Sequence, residues 1–172
     1  MKTLFQRLLG PAFETLPPAV RSLHSVAEPT TFTGRTTVQG SWVGSLLGFP
    51  KSGYDLPIRF RLDPWLDGRE LWGRDFGSSS FITILSQRGM HLVETWNGLV
   101  QIELALEAAP EGIAWKIAGN RFCGLPVPRF FWPVITAREY EVEGRYHFMV
   151  NVSGIVNLSY SGWLEPFAAP VA

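Results

Sequence analysis

Asn97-Gly98 stands between two runs of alternating polarity, and no other feature of the chain restricts its fold so strongly. Both residues tolerate positive φ, so the pair closes a two-residue hairpin whose twist suits antiparallel strands. Downstream, Val100, Ile102, Leu104 and Leu106 alternate with Gln101, Glu103, Ala105 and Glu107, the period-two pattern of a half-buried strand. Upstream, Met90, Leu92, Glu94 and Trp96 share one face. The same grammar recurs along the chain. Asp67-Gly68 and Glu143-Gly144 mark further turns, and alternating segments fall at 31–40, 56–62, 70–77, 80–87, 113–117, 134–143, 145–153 and 155–164. About nine strands at this spacing specify an all-β barrel or sandwich, because a large sheet closes or pairs to remove its edges.

Only the first part of the chain reads as helix. Leu4, Phe5, Leu8 and Leu9 have helical spacing, with Thr3 as N-cap and Gly10-Pro11 as a stop, and a second short helix is predicted over 17–25 with Pro18 in its first turn. A short buried helix is predicted after the first strand, over 41–48, where Gly40, Gly44 and Gly48 recur every fourth residue. A meander with one early helical insert favours an antiparallel barrel of the lipocalin or fatty-acid-binder type. The expectation is a single domain over 1–172, with a helical segment, 1–27, packed on the barrel. The prolines of 121–133 keep that stretch out of interior strands, as a loop or an edge crossing.

Several function classes are excluded by composition. Lys plus Arg equals Asp plus Glu at 15 each, which gives no electrostatic footprint for nucleic acid or an acidic membrane. No apolar run has the length of a membrane span or a signal peptide, so the expected location is cytoplasmic. A single cysteine, Cys123, rules out an internal disulfide and is expected to be a small buried hydrophobe. His24, His91 and His147 have no metal-ligand spacing, and neither a nucleophile motif nor a phosphate loop is present, so no cofactor is expected. His24 is expected to tether the helical segment to the barrel through a hydrogen bond. Glu139 and Glu141 read as a solvated stripe on one strand face. Charged residues make up only 17% of the chain, against about 25% usually, which leaves apolar surface available for a ligand or partner.

The candidate site centres on residues 70–77, Glu-Leu-Trp-Gly-Arg-Asp-Phe-Gly. Arg74 shares strand parity with Trp72 and Phe76, and Glu94 shares parity with Leu92 and Trp96. Either charge alone is expensive to bury, so the pattern predicts an interior Arg74–Glu94 pair. Its functional form is a barrel interior in which Arg74 and Glu94 orient the head of an apolar or amphipathic molecule, such as a carboxylate, and Trp72, Phe76, Trp96 and Tyr160 hold its tail. The other reading is a structural ion pair in a filled core.

Trp72, Arg74 and Phe76 resemble the W-x-R-x-F element of a bacterial family catalogued as domain of unknown function 4166. Gly124-Leu125-Pro126-Val127-Pro128 is similar to its G-L-P-x-P turn, and Tyr160, Gly162, Trp163 and Leu164 to its closing Y-x-G-W-L. Leu9-Gly10, Leu16-Pro17 and Leu23-His24 resemble the family's opening, and Glu139, Gly144, Arg145 and Phe148 its final hairpin. Members are also met fused behind a saccharopine-dehydrogenase-like domain, so the resemblance implies a dehydrogenase-like protein partner. The chain's own glycines, 40, 44 and 48, lack the spacing of a dinucleotide fingerprint. The resemblance implies a fold and a context, without an activity; an enzyme built on a barrel scaffold stays open beside the binding and partner readings.

Overall fold

The computed structural model describes residues 2–41, 50–154 and 157–167. The helix expected over 41–48 lies outside the described residues, apart from Ser41. Thr3 caps α1 (Leu4–Leu9) in a reciprocal box: the Gln6 amide donates to the Thr3 hydroxyl, and the Thr3 amide to the Gln6 side chain. The chain does not stop at Gly10-Pro11 but continues as a 3-10 turn, Gly10–Thr15, before α2 (Pro18–His24).

Ten antiparallel strands then close into a barrel. They are β1 (Thr30–Gly40), β2 (Gly53–Pro64), β3 (Glu70–Asp75), β4 (Ser80–Arg88), β5 (His91–Trp96), β6 (Val100–Ala109), β7 (Gly112–Phe122), β9 (Val134–Val142), β10 (Arg145–Ser153) and β11 (Leu158–Pro166). A two-residue strand, β8 (Leu125–Pro126), attaches outside the ring to the end of β7. Neighbours along the chain pair around most of the ring, β7 pairs β9, and β11 returns to β1. Closure leaves none of the ten strands with a free edge.

The turns obey the residue chemistry. Asn97 and Gly98 have φ of 48° and 70°, and Glu143 and Gly144 have 51° and 75°, the positive pairs that a tight hairpin requires. Cys123 and Gly124, at 51° and 79°, form a third such turn between β7 and β8. That turn corrects the expected burial of Cys123: a residue at the tip of a two-residue hairpin faces solvent, and its thiol is exposed. It also divides 121–133, of which Arg121–Phe122 complete β7 and Arg129–Phe131 form a 3-10 turn. At the seam between β1 and β11, a Cβ on Gly162 would run into the Arg35 carbonyl, and one on Gly34 into the Trp163 carbonyl. Glycine at both positions lets the two strands approach.

The helical segment plugs one end of the barrel. Phe5 is fully buried and stacks on His24 with centroids 3.6 Å apart, and the same ring lies 5.9 Å from Trp72 and 5.8 Å from Trp115. Leu4, Phe13, Leu16, Val20 and Leu23 complete this plug and join the inward faces of the strands in one core. The opposite end, where β1, β3, β5, β7 and β10 terminate, is the rim.

Candidate functional site

Between the plug and the rim the barrel interior holds a cavity of about 630 Å³. Strand alternation determines its walls. In β3, Glu70, Trp72 and Arg74 are buried while Leu71, Gly73 and Asp75 face outward. Phe60 and Ile58 of β2, Ile102 and Leu104 of β6, and Phe148 of β10 supply the apolar lining, and Phe130, Phe131, Trp132 and Pro133 border it at the rim.

Arg74 points inward and meets Glu94, as its parity predicts. Its Nη2 donates to Glu94 Oε1 at 3.3 Å and its Nη1 to Thr83 Oγ1 at 2.9 Å. The register explains the reach: Arg74 stands opposite Phe81 on β4, Glu94 stands opposite Leu85, and Thr83 lies between them on the same strand. The guanidinium carbon lies 5.2 Å from the rings of both Trp72 and Phe81, within range of cation–π attraction. Side-chain exposures of 9% and 13% leave the pair nearly closed off from bulk water but on the cavity wall.

Of the six sequence-predicted residues, Arg74, Glu94, Trp72, Trp96 and Tyr160 line the cavity. Phe76 is buried beside it, its ring 5.9 Å from Phe81 and 6.1 Å from Tyr160, where it positions both.

A second polar cluster was not anticipated. Glu139 on β9 is buried, and its Oε2 lies 2.5 Å from His24 Nε2, also buried. His24 thus tethers the helical segment to the barrel as expected, whereas the solvated stripe does not exist. Glu139 lines the cavity, and Glu141 accepts the Ala19 amide at 2.6 Å, so both carboxylates bind the helical segment. Tyr146 is held well above the usual tyrosine range, first by burial and then by the Glu139 charge. Burial likewise raises Tyr160. Glu70 sits under the plug and accepts the Leu4 amide at 3.3 Å and the Trp72 indole N–H at 3.1 Å; burial raises its pKa, against the pull of His24.

Glu70 and Glu139 both carried a signal. Glu70 shares parity with Trp72 and Phe76, and Glu139 with Ile135 and Ala137. What the sequence does not encode visibly is that a histidine 115 positions away meets Glu139. Among the described residues, no three His, Cys, Asp or Glu side chains are placed to hold a metal ion, and no helix is long and apolar enough to cross a membrane.

No curated protein matches the chain. A model of the family described as Domain of unknown function (DUF4166) matches residues 16–164, most of the chain, and the protein belongs to that family.

Proposed function

We propose that the barrel binds an apolar or amphipathic small molecule in its interior. The observation that carries this reading is the 630 Å³ cavity, whose volume falls in the range of ligand pockets, about 300–1,000 Å³. Polar groups are few on its walls and converge: Arg74 with Glu94, and Glu139 with Tyr146 and Tyr160 nearby. Such a lining gives a tail its burial and a head group its orientation.

The charge inventory selects the head group. The Arg74 guanidinium, free in the simplest version of a carboxylate receptor, is engaged by Glu94 and Thr83. Glu139 adds a further carboxylate to the wall, whereas Arg138 borders the cavity from the opposite, exposed parity of β9. A second anion would have to displace Glu94 from Arg74 in a low-dielectric interior, so an uncharged donor-bearing head such as an alcohol fits better than a carboxylate. The test is displacement of Nile red from the purified protein, with native mass spectrometry for carried ligand. Oleyl alcohol should compete more strongly than oleate. Absence of Nile red uptake together with a ligand-free mass spectrum would sink the reading, and stronger competition by oleate would restore the carboxylate.

A second reading, catalysis on the same scaffold, is favoured by one contact: Glu139 faces the cavity while His24 holds it from behind, an arrangement that orients a carboxylate for proton transfer.

A further inference from the structure

The zero net charge conceals an uneven distribution. At the rim end, the described residues of the connections are 41, 50–52, 76–79, 97–99, 123–133, 154 and 157, and not one of them is Asp or Glu. The connections at the plugged end carry Asp67, paired with Arg69 of the same connection, and Glu111 and Glu143, with Glu28 before β1; the helical segment adds Lys2, Arg7 and Arg21. Two aspartates lie in strands near the rim, of which Asp55 is ion-paired. Asp55 accepts Arg35 Nε at 3.0 Å and Nη2 at 2.6 Å, and Asp75 stands opposite Arg59 in the ladder and accepts the Gly77 amide. Lys51 and Arg129, by contrast, have no ion-pair partner among the described residues.

The rim is also where large apolar side chains cluster in solvent. Phe130 is 79% exposed and Phe131 59%, their rings 4.2 Å apart. Leu99, Phe122 and Leu125 are exposed at the same end and held together by the Cys123 amide donating to the Leu99 carbonyl at 2.8 Å and by the Phe122–Leu125 pairing. Exposed aromatics on an end of the barrel whose described connections carry cations and no carboxylate are what a protein presents to the interface of an anionic bilayer. Arg129 adjoins the Phe130–Phe131 pair directly, its guanidinium 5.8 Å from the Trp132 ring. The patch runs without interruption into the cavity, because Phe130 and Phe131 belong to both.

We infer that the rim docks on an anionic lipid bilayer, with Phe130 and Phe131 entering the headgroup region and Arg129 and Lys51 against lipid phosphates. Docked in this way, the barrel opens toward the membrane and its plug toward water. This goes beyond binding of a small molecule and is separable from it.

The test is flotation of the full chain with phosphatidylglycerol–phosphatidylcholine vesicles and with pure phosphatidylcholine vesicles. Binding should require phosphatidylglycerol and weaken with salt. Arg129→Glu with Lys51→Glu should lower it by about tenfold or more, since each basic residue near an anionic surface contributes about a fivefold factor. Phe130→Ser with Phe131→Ser should abolish it at any salt concentration. Arg129 and Lys51 lie off the cavity wall, so the charge-reversed variant should still take up Nile red. Loss of flotation with uptake retained supports the docking face, while flotation without uptake removes the small-molecule reading and leaves docking intact. Docking is overturned if the wild type does not float with phosphatidylglycerol, or if flotation is indifferent to these substitutions. It is overturned equally if the rim substitutions dissolve a dimer or a complex with a dehydrogenase-like protein while the wild type shows no affinity for vesicles.

Discussion

Replacing Arg74 by Met keeps the hydrocarbon that packs near Phe60, Trp72 and Phe81 but removes the charge, which leaves Glu94 on an apolar wall with 13% of its side chain exposed. Breaking one side of a buried pair costs about 3–5 kcal/mol. The lower figure applies here, because the 3.3 Å contact borders a cavity that water can enter. Glu94→Gln keeps an acceptor for the guanidinium and should cost about 1.5 kcal/mol. In the double variant neither a stranded carboxylate nor a stranded guanidinium remains, so its cost should not exceed that of Arg74→Met alone, about 3 kcal/mol. The cycle then returns a coupling of at least about 1.5 kcal/mol, well above the ~0.5 kcal/mol within which independent sites add. For a domain of this size, Arg74→Met should lower the melting temperature by about 6–12 °C. Urea denaturation of the four proteins measures all of these quantities. Additive costs would refute the reasoning, since they would mean that Arg74 and Glu94 share a wall without sharing energy.

Three further outcomes follow from the plug and the seam. His24→Phe preserves the stack on Phe5 but strands buried Glu139, so stability should fall by about 3 kcal/mol and residues 2–25 should become sensitive to limited proteolysis; adding Glu139→Gln should recover part of the loss, and an unchanged cleavage pattern would count against the tether. Burial sets the Glu70 pKa higher in the folded than in the unfolded chain, so its stabilising share is complete below the ordinary Glu value of about 4.3 and is lost as pH rises through the raised value. Glu70→Gln should flatten the decline in urea midpoint over that window, and an unaltered slope would assign the decline to another group. Gly162→Ala, whose Cβ meets the Arg35 carbonyl, should cost about 3 kcal/mol or more, whereas Gly73→Ala on the outer face of β3, where the nearest atom is 3.7 Å away, should stay within about 1 kcal/mol, as thermal melts of both will show.

The barrel was legible because period-two alternation and positive-φ turn residues are local signals, and here they agree over most of the chain. The Arg74–Glu94 pair was legible for the same reason: two charges violated the polarity of their faces, and a fold that buries both must bring them together. Glu70 and Glu139 break their faces just as plainly, but no opposite charge breaks a neighbouring strand face to match either, so the pattern leaves their partners unstated. His24 is a different matter. It lies on a short helix, and nothing in a seven-residue segment states which strand it will cross. The Cys123-Gly124 turn was masked by the prolines around it, which suppress a strand signal although a two-residue β8 needs few backbone donors. Register was the least accessible quantity, since alternation says which way a residue points and not whom it faces.

The seam between β1 and β11 has a consequence for the order of events during synthesis. Thr36 pairs with Gly162 and Val38 with Tyr160, contacts separated by more than a hundred residues, while most other strand pairs join neighbours along the chain. A ribosome therefore releases nine of the ten staves before the ring can shut, and until β11 emerges the outer edge of β1 has no native partner. Non-local pairing of this kind slows folding and leaves the incomplete sheet open to wrong partners. A nascent chain stalled just short of Leu158 should thus be the form that most needs a chaperone.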